Sequence, residues 1–138
     1  MPATLVDSSV ILDVFEAHSE WCEWSENALA ERSKFAELLI NAVIYAEISI
    51  GFSKIETLET AVSGAGFRMV EIPKEALFLA GKAFLNYRRK GGARDQPLPD
   101  FFIGAHAAVA GLPLLTRDTG RVRTYFPSVK LISPKGNP

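Results

Sequence analysis

Four acids, Asp7, Glu47, Asp100 and Asp118, stand at positions where a folded chain of this pattern can gather them. Carboxylates collected at one low-dielectric edge repel one another, and some must take up protons unless a cation neutralises them. Hard divalent ions prefer oxygen donors, and magnesium binds through a few carboxylates while keeping water. An acidic set without Cys or His partners therefore reads as a magnesium or manganese site, not a zinc site. Such ions suit phosphodiester cleavage, where they activate water and neutralise charge on the phosphate and the leaving oxygen. Singly, each acid has a plainer reading. Asp7 and Asp100 serve equally well as helix caps, and Asp118 in Thr-Arg-Asp-Thr-Gly as a turn residue. Glu47 could point outward from an amphipathic helix. The metal reading rests on all four meeting.

Whether they meet depends on the elements around them. Short aliphatic runs alternate with longer stretches of helical spacing. Ala3 to Val6 reads as a strand ending at Asp7, and Ser8 to Glu16 as a helix with Val10, Ile11, Val14 and Phe15 on one side. Glu20 to Arg32 is expected to be a second helix, burying Trp21, Trp24, Ala28 and Leu29. Leu38 to Ile40 reads as a second strand, and Asn41 as the cap of a helix from Ala42 to Ile50. Ser53 and Glu56 have the spacing of a capping box for a helix that dies at Gly64 and Gly66. Phe67 to Ile72 follows as a third strand, then a long helix from Pro73 through Arg89.

Gly91 to Pro99 is the one clear loop, after which Asp100 is expected to open an Ala-rich helix ending at Gly111. Pro113 to Thr116 reads as a fourth strand, Asp118 to Tyr125 as a short helix or turn, and Val129 to Ile132 as a fifth strand. Such alternation implies crossovers of one hand and a parallel sheet covered on both faces. The expected fold is α/β: a three-layer α/β/α sandwich around a central parallel sheet of about five strands. One domain over residues 1–133 is expected, followed by a short tail at 134–138. In such folds ligands bind beyond the carboxyl ends of the strands, near the point where strand order reverses. Asp7, Asp100 and Asp118 all fall at that edge. Glu47 sits a turn further into its helix, among Val43, Ile44, Tyr45, Ala46 and Ile48, where water reaches it only in part.

Composition narrows the class without naming it. The 138 residues are 48% hydrophobic and 22% charged, the balance of a globular domain with a real core. Charge interrupts every apolar run well short of a membrane span. Met1 to Asp7 has no basic region or long apolar stretch of the secretory kind, so a cytoplasmic protein is expected. Cys22 is the only cysteine, which excludes an intrachain disulfide and a cysteine-rich zinc site. With a net charge of -1, any nucleic acid must be held by local basic patches and metal ions.

Four blocks carry a family resemblance, each with an acid in it. They are Leu-Val-Asp-Ser-Ser-Val-Ile-Leu-Asp at 5–13 and Asn-Ala-Val-Ile-Tyr-Ala-Glu-Ile at 41–48. Pro-Asp-Phe-Phe-Ile-Gly-Ala-His-Ala at 99–107 and Leu-Leu-Thr-Arg-Asp at 114–118 complete the set. In this order, over nearly the whole length, the chain resembles the PIN-domain ribonucleases, and among them the VapC-type toxins of toxin–antitoxin pairs. The resemblance implies that Asp7, Glu47, Asp100 and Asp118 bind one or two Mg2+ or Mn2+ ions. It also implies that Ser9 and Thr116 support them, with Ser9 standing where Thr or Asn is also common. An endoribonuclease that leaves a 5′-phosphate and a 3′-hydroxyl is implied, as are a homodimer and a small antitoxin whose tail enters the acidic groove. Asp95 competes with Asp100 for the third position; Asp100 is preferred because it directly precedes the apolar helix.

Two basic runs are candidate RNA contacts: Arg88, Arg89, Lys90 and Arg94, and, nearer the fourth acid, Arg117, Arg121 and Arg123. Arg117 and Arg121 are the better pair, since phosphate held at the metal must pass nearby. Most charge runs are simply solvated faces. His106, in an apolar helix, reads as a core histidine rather than a base. Phe15, Trp21 and Trp24 read as core, with part of that stripe open to a partner. Gly64-Ala-Gly66 precedes a strand, the wrong order for a dinucleotide loop, and no Walker-type loop is present. Three other functions stay open: a PIN nuclease of housekeeping RNA processing, a non-catalytic PIN-like partner of a DNA-binding repressor, and an aspartyl phosphatase. The last usually wants an acid two places after the first, where this chain has Ser9.

Overall fold

The computed structural model describes residues 2–17, 20–91 and 98–134. The elements run β1 (Ala3–Val6), α1 (Ser8–Glu16), α2 (Cys22–Ser33), β2 (Glu37–Ile40), α3 (Ala42–Ser49) and α4 (Ile55–Gly64). They continue with β3 (Phe67–Met69), α5 (Lys74–Arg89), α6 (Leu98–Ala110), β4 (Leu114–Leu115), α7 (Gly120–Tyr125) and β5 (Leu131–Ile132). All five strands pair in parallel, in the order β3-β2-β1-β4-β5. Successive strand residues face opposite sides of a sheet. Leu5 and Val6 are both fully buried, so β1 is covered on both faces. The expected α/β/α sandwich is the observed one.

The strand order puts the reversal between β1 and β4. The chain winds outward from β1 through β2 to β3, then returns to lay β4 on the other flank of β1, with Leu5 opposite Leu114 and Val6 opposite Leu115. Asp7 and Thr116 are the next residues along each strand, so they emerge side by side. Parallel strands force this, because both chains leave the sheet in the same direction.

Local chemistry explains most element ends. Asn41 caps α3, its Oδ1 accepting from the Ile44 amide at 2.9 Å. Below that cap, Ile40, Ile44 and Ile48 are fully buried, each stabilising the fold by roughly 1.5–3 kcal/mol. Gly111 ends α6 at φ +65°, a left-handed conformation that glycine adopts without a side-chain clash.

Several expected boundaries move. The second helix starts at Cys22 rather than Glu20 and buries only Ser25 fully; Trp21, Trp24, Ala28 and Leu29 are half-buried. The capping box at Ser53 and Glu56 does not form, because Lys54 takes the cap position and offers no side-chain acceptor. β3 stops at Met69, short of Ile72: the Val70 amide still donates to Ile40, but Pro73 then turns the chain into α5. β4 and β5 are two residues each, shorter than expected, with Leu114 opposite Leu131 and Leu115 opposite Ile132. Asp100 does not open its helix. Leu98 and Pro99 precede it, placing Asp100 in the first turn of α6. Arg94, Asp95 and residues 135–138 lie outside the described residues.

Candidate active site

The site is built first around Asp7. It stands at the N-cap position of α1, yet its side chain does not cap the helix. Instead Oδ2 accepts from Ser9 Oγ and from Thr116 Oγ1, each at 2.8 Å. Burial pushes the Asp7 carboxyl up, the two hydroxyls and the Ser8 amide pull it back, and the nearby Asp118 charge adds to the rise. An acid held this way is oriented by strand β4 as much as by its own helix.

Thr116 joins a second acid to the first. While its hydroxyl donates to Asp7, its oxygen accepts from the Asp118 amide at 3.0 Å. That turn aims Asp118, an exposed residue, over the end of β4. Asp100 comes from the other side, in the first turn of α6, where a negative charge suits the helix dipole. Its carboxyl is pushed up to about 6, chiefly by burial and then by the charges of Asp7 and Asp118, against the pull of Arg121. Arg121 Nη1 lies 2.9 Å from Asp100 Oδ2, and its guanidinium rests 5.4 Å from the Tyr87 ring centre. Asp7, Asp100, Thr116, Asp118 and Arg121 line a single pocket floored by Ile103 and Val122.

Glu47 stands beside that pocket rather than in its lining. Ser8 Oγ donates to Glu47 Oε1 at 2.8 Å, fastening α3 to the start of α1. Burial raises the Glu47 carboxyl and the Asp7 charge raises it further. The four acids thus form one electrostatic group with three members in the pocket and the fourth at its edge.

The donor set suits a hard divalent cation. Three of the carboxyls are shifted toward the protonated form, a penalty that a divalent ion would relieve. Among the described residues, no three His, Cys, Asp or Glu side chains already close on one ion-sized point. The chemistry of the donors, all of them carboxylate oxygens, matches hard ions such as magnesium, which keep several waters, whereas zinc sites draw on Cys and His.

Other candidate residues land elsewhere. Arg117 forks onto Asp13 of α1, with Nε–Oδ2 at 2.6 Å and Nη2–Oδ1 at 2.9 Å. Arg88, Arg89 and Lys90 lie on an exposed surface at the end of α5. His106 is buried, its Nδ1 3.0 Å from Asn41 Nδ2, as a structural histidine should be. Sequence reasoning passed over Ser8 and Asp13. Ser8 had a signal in its place beside Asp7; Asp13 had one in its spacing, four residues from Ser9 on the same helical face.

Comparison with known proteins agrees with this architecture. Three solved structures share the fold over nearly their full length. VapBC2 from Rickettsia felis, bound to a DNA fragment from its promoter, matches with a TM-score of 0.74 at 16% identity, covering 96% of this chain and 99% of that one. VapBC-1 from nontypeable Haemophilus influenzae matches at 0.70 and 15% identity, covering 95% and 97%. FitAcB from Neisseria gonorrhoeae matches at 0.68 and 18% identity, covering 96% and 99%. No curated protein sequence matches significantly. The family model of the PIN domain matches residues 4–127, a stretch that contains all four acids and runs from Thr4 of β1 past β4. With Asp7, Asp100 and Asp118 converging where β1 and β4 end, and the match spanning nearly the whole chain, this protein belongs to the PIN-domain family.

Proposed function

We propose that the protein is a metal-dependent endoribonuclease, acting in the cytoplasm as the toxin of a toxin–antitoxin pair. The observation that carries this reading is the convergence of Asp7, Asp100 and Asp118 in one pocket beside the β1–β4 switch point. Asp7, Glu47, Asp100 and Asp118 would hold Mg2+ or Mn2+. Bound there, the cation supplies an activated water and charge neutralisation at the scissile phosphate. Ser9 and Thr116 orient Asp7 and favour its charged form against the burial that raises it, because both donate to Oδ2. Arg121, already inside the pocket, offers its guanidinium to an RNA phosphate.

The toxin role draws on the toxin–antitoxin complexes whose chains share this fold. A homodimer and a small antitoxin partner belong to the same proposal. The direct test incubates purified protein with single-stranded RNA and Mn2+, with and without chelator, beside Asp100→Asn. Cleavage that needs Mn2+ and disappears in the variant supports the reading; chelator-resistant cleavage, or none at all, defeats it. Expression of the chain alone should slow growth, and Asp7→Ala should abolish the effect. Growth arrest that persists in Asp7→Ala defeats the nuclease-toxin reading, and no arrest from the unaltered chain leaves the housekeeping role.

A second reading has one observation behind it: the Rickettsia felis complex is bound to promoter DNA. In that case the chain would be a scaffold for a DNA-binding repressor without chemistry of its own. Calorimetry separates the two, since a scaffold should take up neither Mg2+ nor Mn2+.

A further inference from the structure

Asp13 is a charged residue buried to 4% exposure, and the proposed chemistry gives it no task. A buried carboxylate persists only when paired and hydrogen-bonded. Two of its partners come from other parts of the fold. Ser25 Oγ, on α2, donates to Oδ2 at 2.7 Å. Arg117, in the turn after β4, donates through Nε at 2.6 Å and Nη2 at 2.9 Å. This is the planar two-point geometry that a guanidinium forms best with a carboxylate. The Arg117 guanidinium also lies 5.6 Å from the Trp21 ring centre, just before α2.

The same arginine touches α1 a second time. Its backbone amide donates to Ser9 Oγ at 3.3 Å, and that hydroxyl in turn donates to Asp7 Oδ2. Ser9 and Asp13 are four residues apart, so they lie one above the other on a single face of α1. Arg117 therefore grips that face at two levels, with its backbone near the first turn and its side chain one turn on. The residues flanking it are Thr116, which donates to Asp7, and Asp118, which lines the pocket. Fixing Arg117 fixes both neighbours.

We infer that Arg117 and Asp13, seconded by Ser25, form a clamp that positions Asp7 and Asp118, and that Arg117 is a positioning residue rather than an RNA contact. The inference rests on the nuclease reading only for what the positioned acids do. Partners that orient metal-binding carboxylates characteristically change metal affinity by about 10–100-fold when removed.

The test compares the unaltered chain with Asp13→Asn, Arg117→Ala and the double variant, well below the melting temperature of each. Three quantities are read: Mn2+ affinity by calorimetry, the salt dependence of RNA binding, and amide exchange by NMR. Under the clamp, each single variant weakens Mn2+ binding by about tenfold, and the double variant is no worse than either alone. The salt slope of RNA binding stays unchanged, because no phosphate contact is lost. In Asp13→Asn the Arg117 and Asp118 amides exchange faster while those of β1 and β2 do not. An RNA-contacting Arg117 gives the opposite pattern: Arg117→Ala lowers the salt slope by about one phosphate's worth, and Asp13→Asn is silent. Unchanged Mn2+ affinity, or exchange that rises uniformly through β1 and β2, overturns the clamp and leaves an ordinary stabilising pair. Should the unaltered chain bind no Mn2+, the nuclease reading fails on that result, and the clamp stands or falls on the exchange at Arg117 and Asp118 alone.

Discussion

Asn41 Nδ2 lies 3.0 Å from His106 Nδ1, and this contact ties the helix that carries Glu47 to the helix that carries Asp100. Because Asn41 spends its Oδ1 on the Ile44 amide, its amide nitrogen must donate, and His106 Nδ1 must accept. The imidazole is therefore neutral, with its proton on Nε2. Burial lowers its proton affinity from the ordinary 6.5, in the same direction.

A depressed histidine contributes stability that is complete above pH 6.5 and lost as pH falls through the lower folded value. His106→Leu leaves the Asn41 amide without its acceptor and should cost about 1–3 kcal/mol at pH 7.5. The acid-side loss assigned to the imidazole should vanish with it. Urea denaturation at pH 7.5 and pH 5 measures both effects; equal stability of the two proteins at pH 7.5 would refute the contact's importance.

Asp100 behaves in the reverse sense. A carboxyl raised from 3.8 to about 6 contributes stability that is complete below 3.8 and fades as pH rises through about 6. Asp100→Asn removes a mutually repelling charge, so the variant should be more stable than the parent at pH 7.5. Near pH 4 the advantage should disappear. Paired denaturation curves at the two pH values decide the matter, and a variant less stable at pH 7.5 would show that the Arg121 ion pair outweighs the repulsion.

Thr116→Val keeps the volume of the side chain but removes both the donor to Asp7 Oδ2 and the acceptor of the Asp118 amide. The remaining carboxyl should hold its proton to higher pH, since a hydrogen bond to its charged form is gone. Mn2+ binding should weaken by about tenfold, and the pH at which it saturates should rise. A binding curve superimposable on that of the parent would mean that neither hydrogen bond of Thr116 bears on the metal site.

Gly104 is required by a close approach. A methyl at that position would meet the Phe126 ring at 2.5 Å, and Phe126 is itself buried against Phe101. With no room to yield, Gly104→Ala should destabilise the fold by about 1–3 kcal/mol through overpacking. Because Phe101 follows Asp100 directly, Mn2+ affinity should fall as well. Thermal melting and calorimetry test the two parts, and an unchanged melting temperature would show that the ring can move aside.

Much of this molecule could be read from its residues. The alternation of aliphatic runs with helical spacing dictated a parallel sheet, and Asn41 announced its helix by cap chemistry, because both signals act within a few residues. Asp7 and Thr116 were legible as strand-end residues for the same reason. What the sequence could not supply was contact across the chain. The Asp13–Arg117 fork joins residues 104 apart, and Ser8–Glu47 joins residues 39 apart. The spacing of Asp13 from Ser9 places it on a face of α1 but does not name its partner, and nothing local distinguishes Arg117 from a phosphate-binding residue. Strand order decided those pairings: once β4 returns to lie beside β1, its turn meets the first two turns of α1, and the side chains there must satisfy one another out of water.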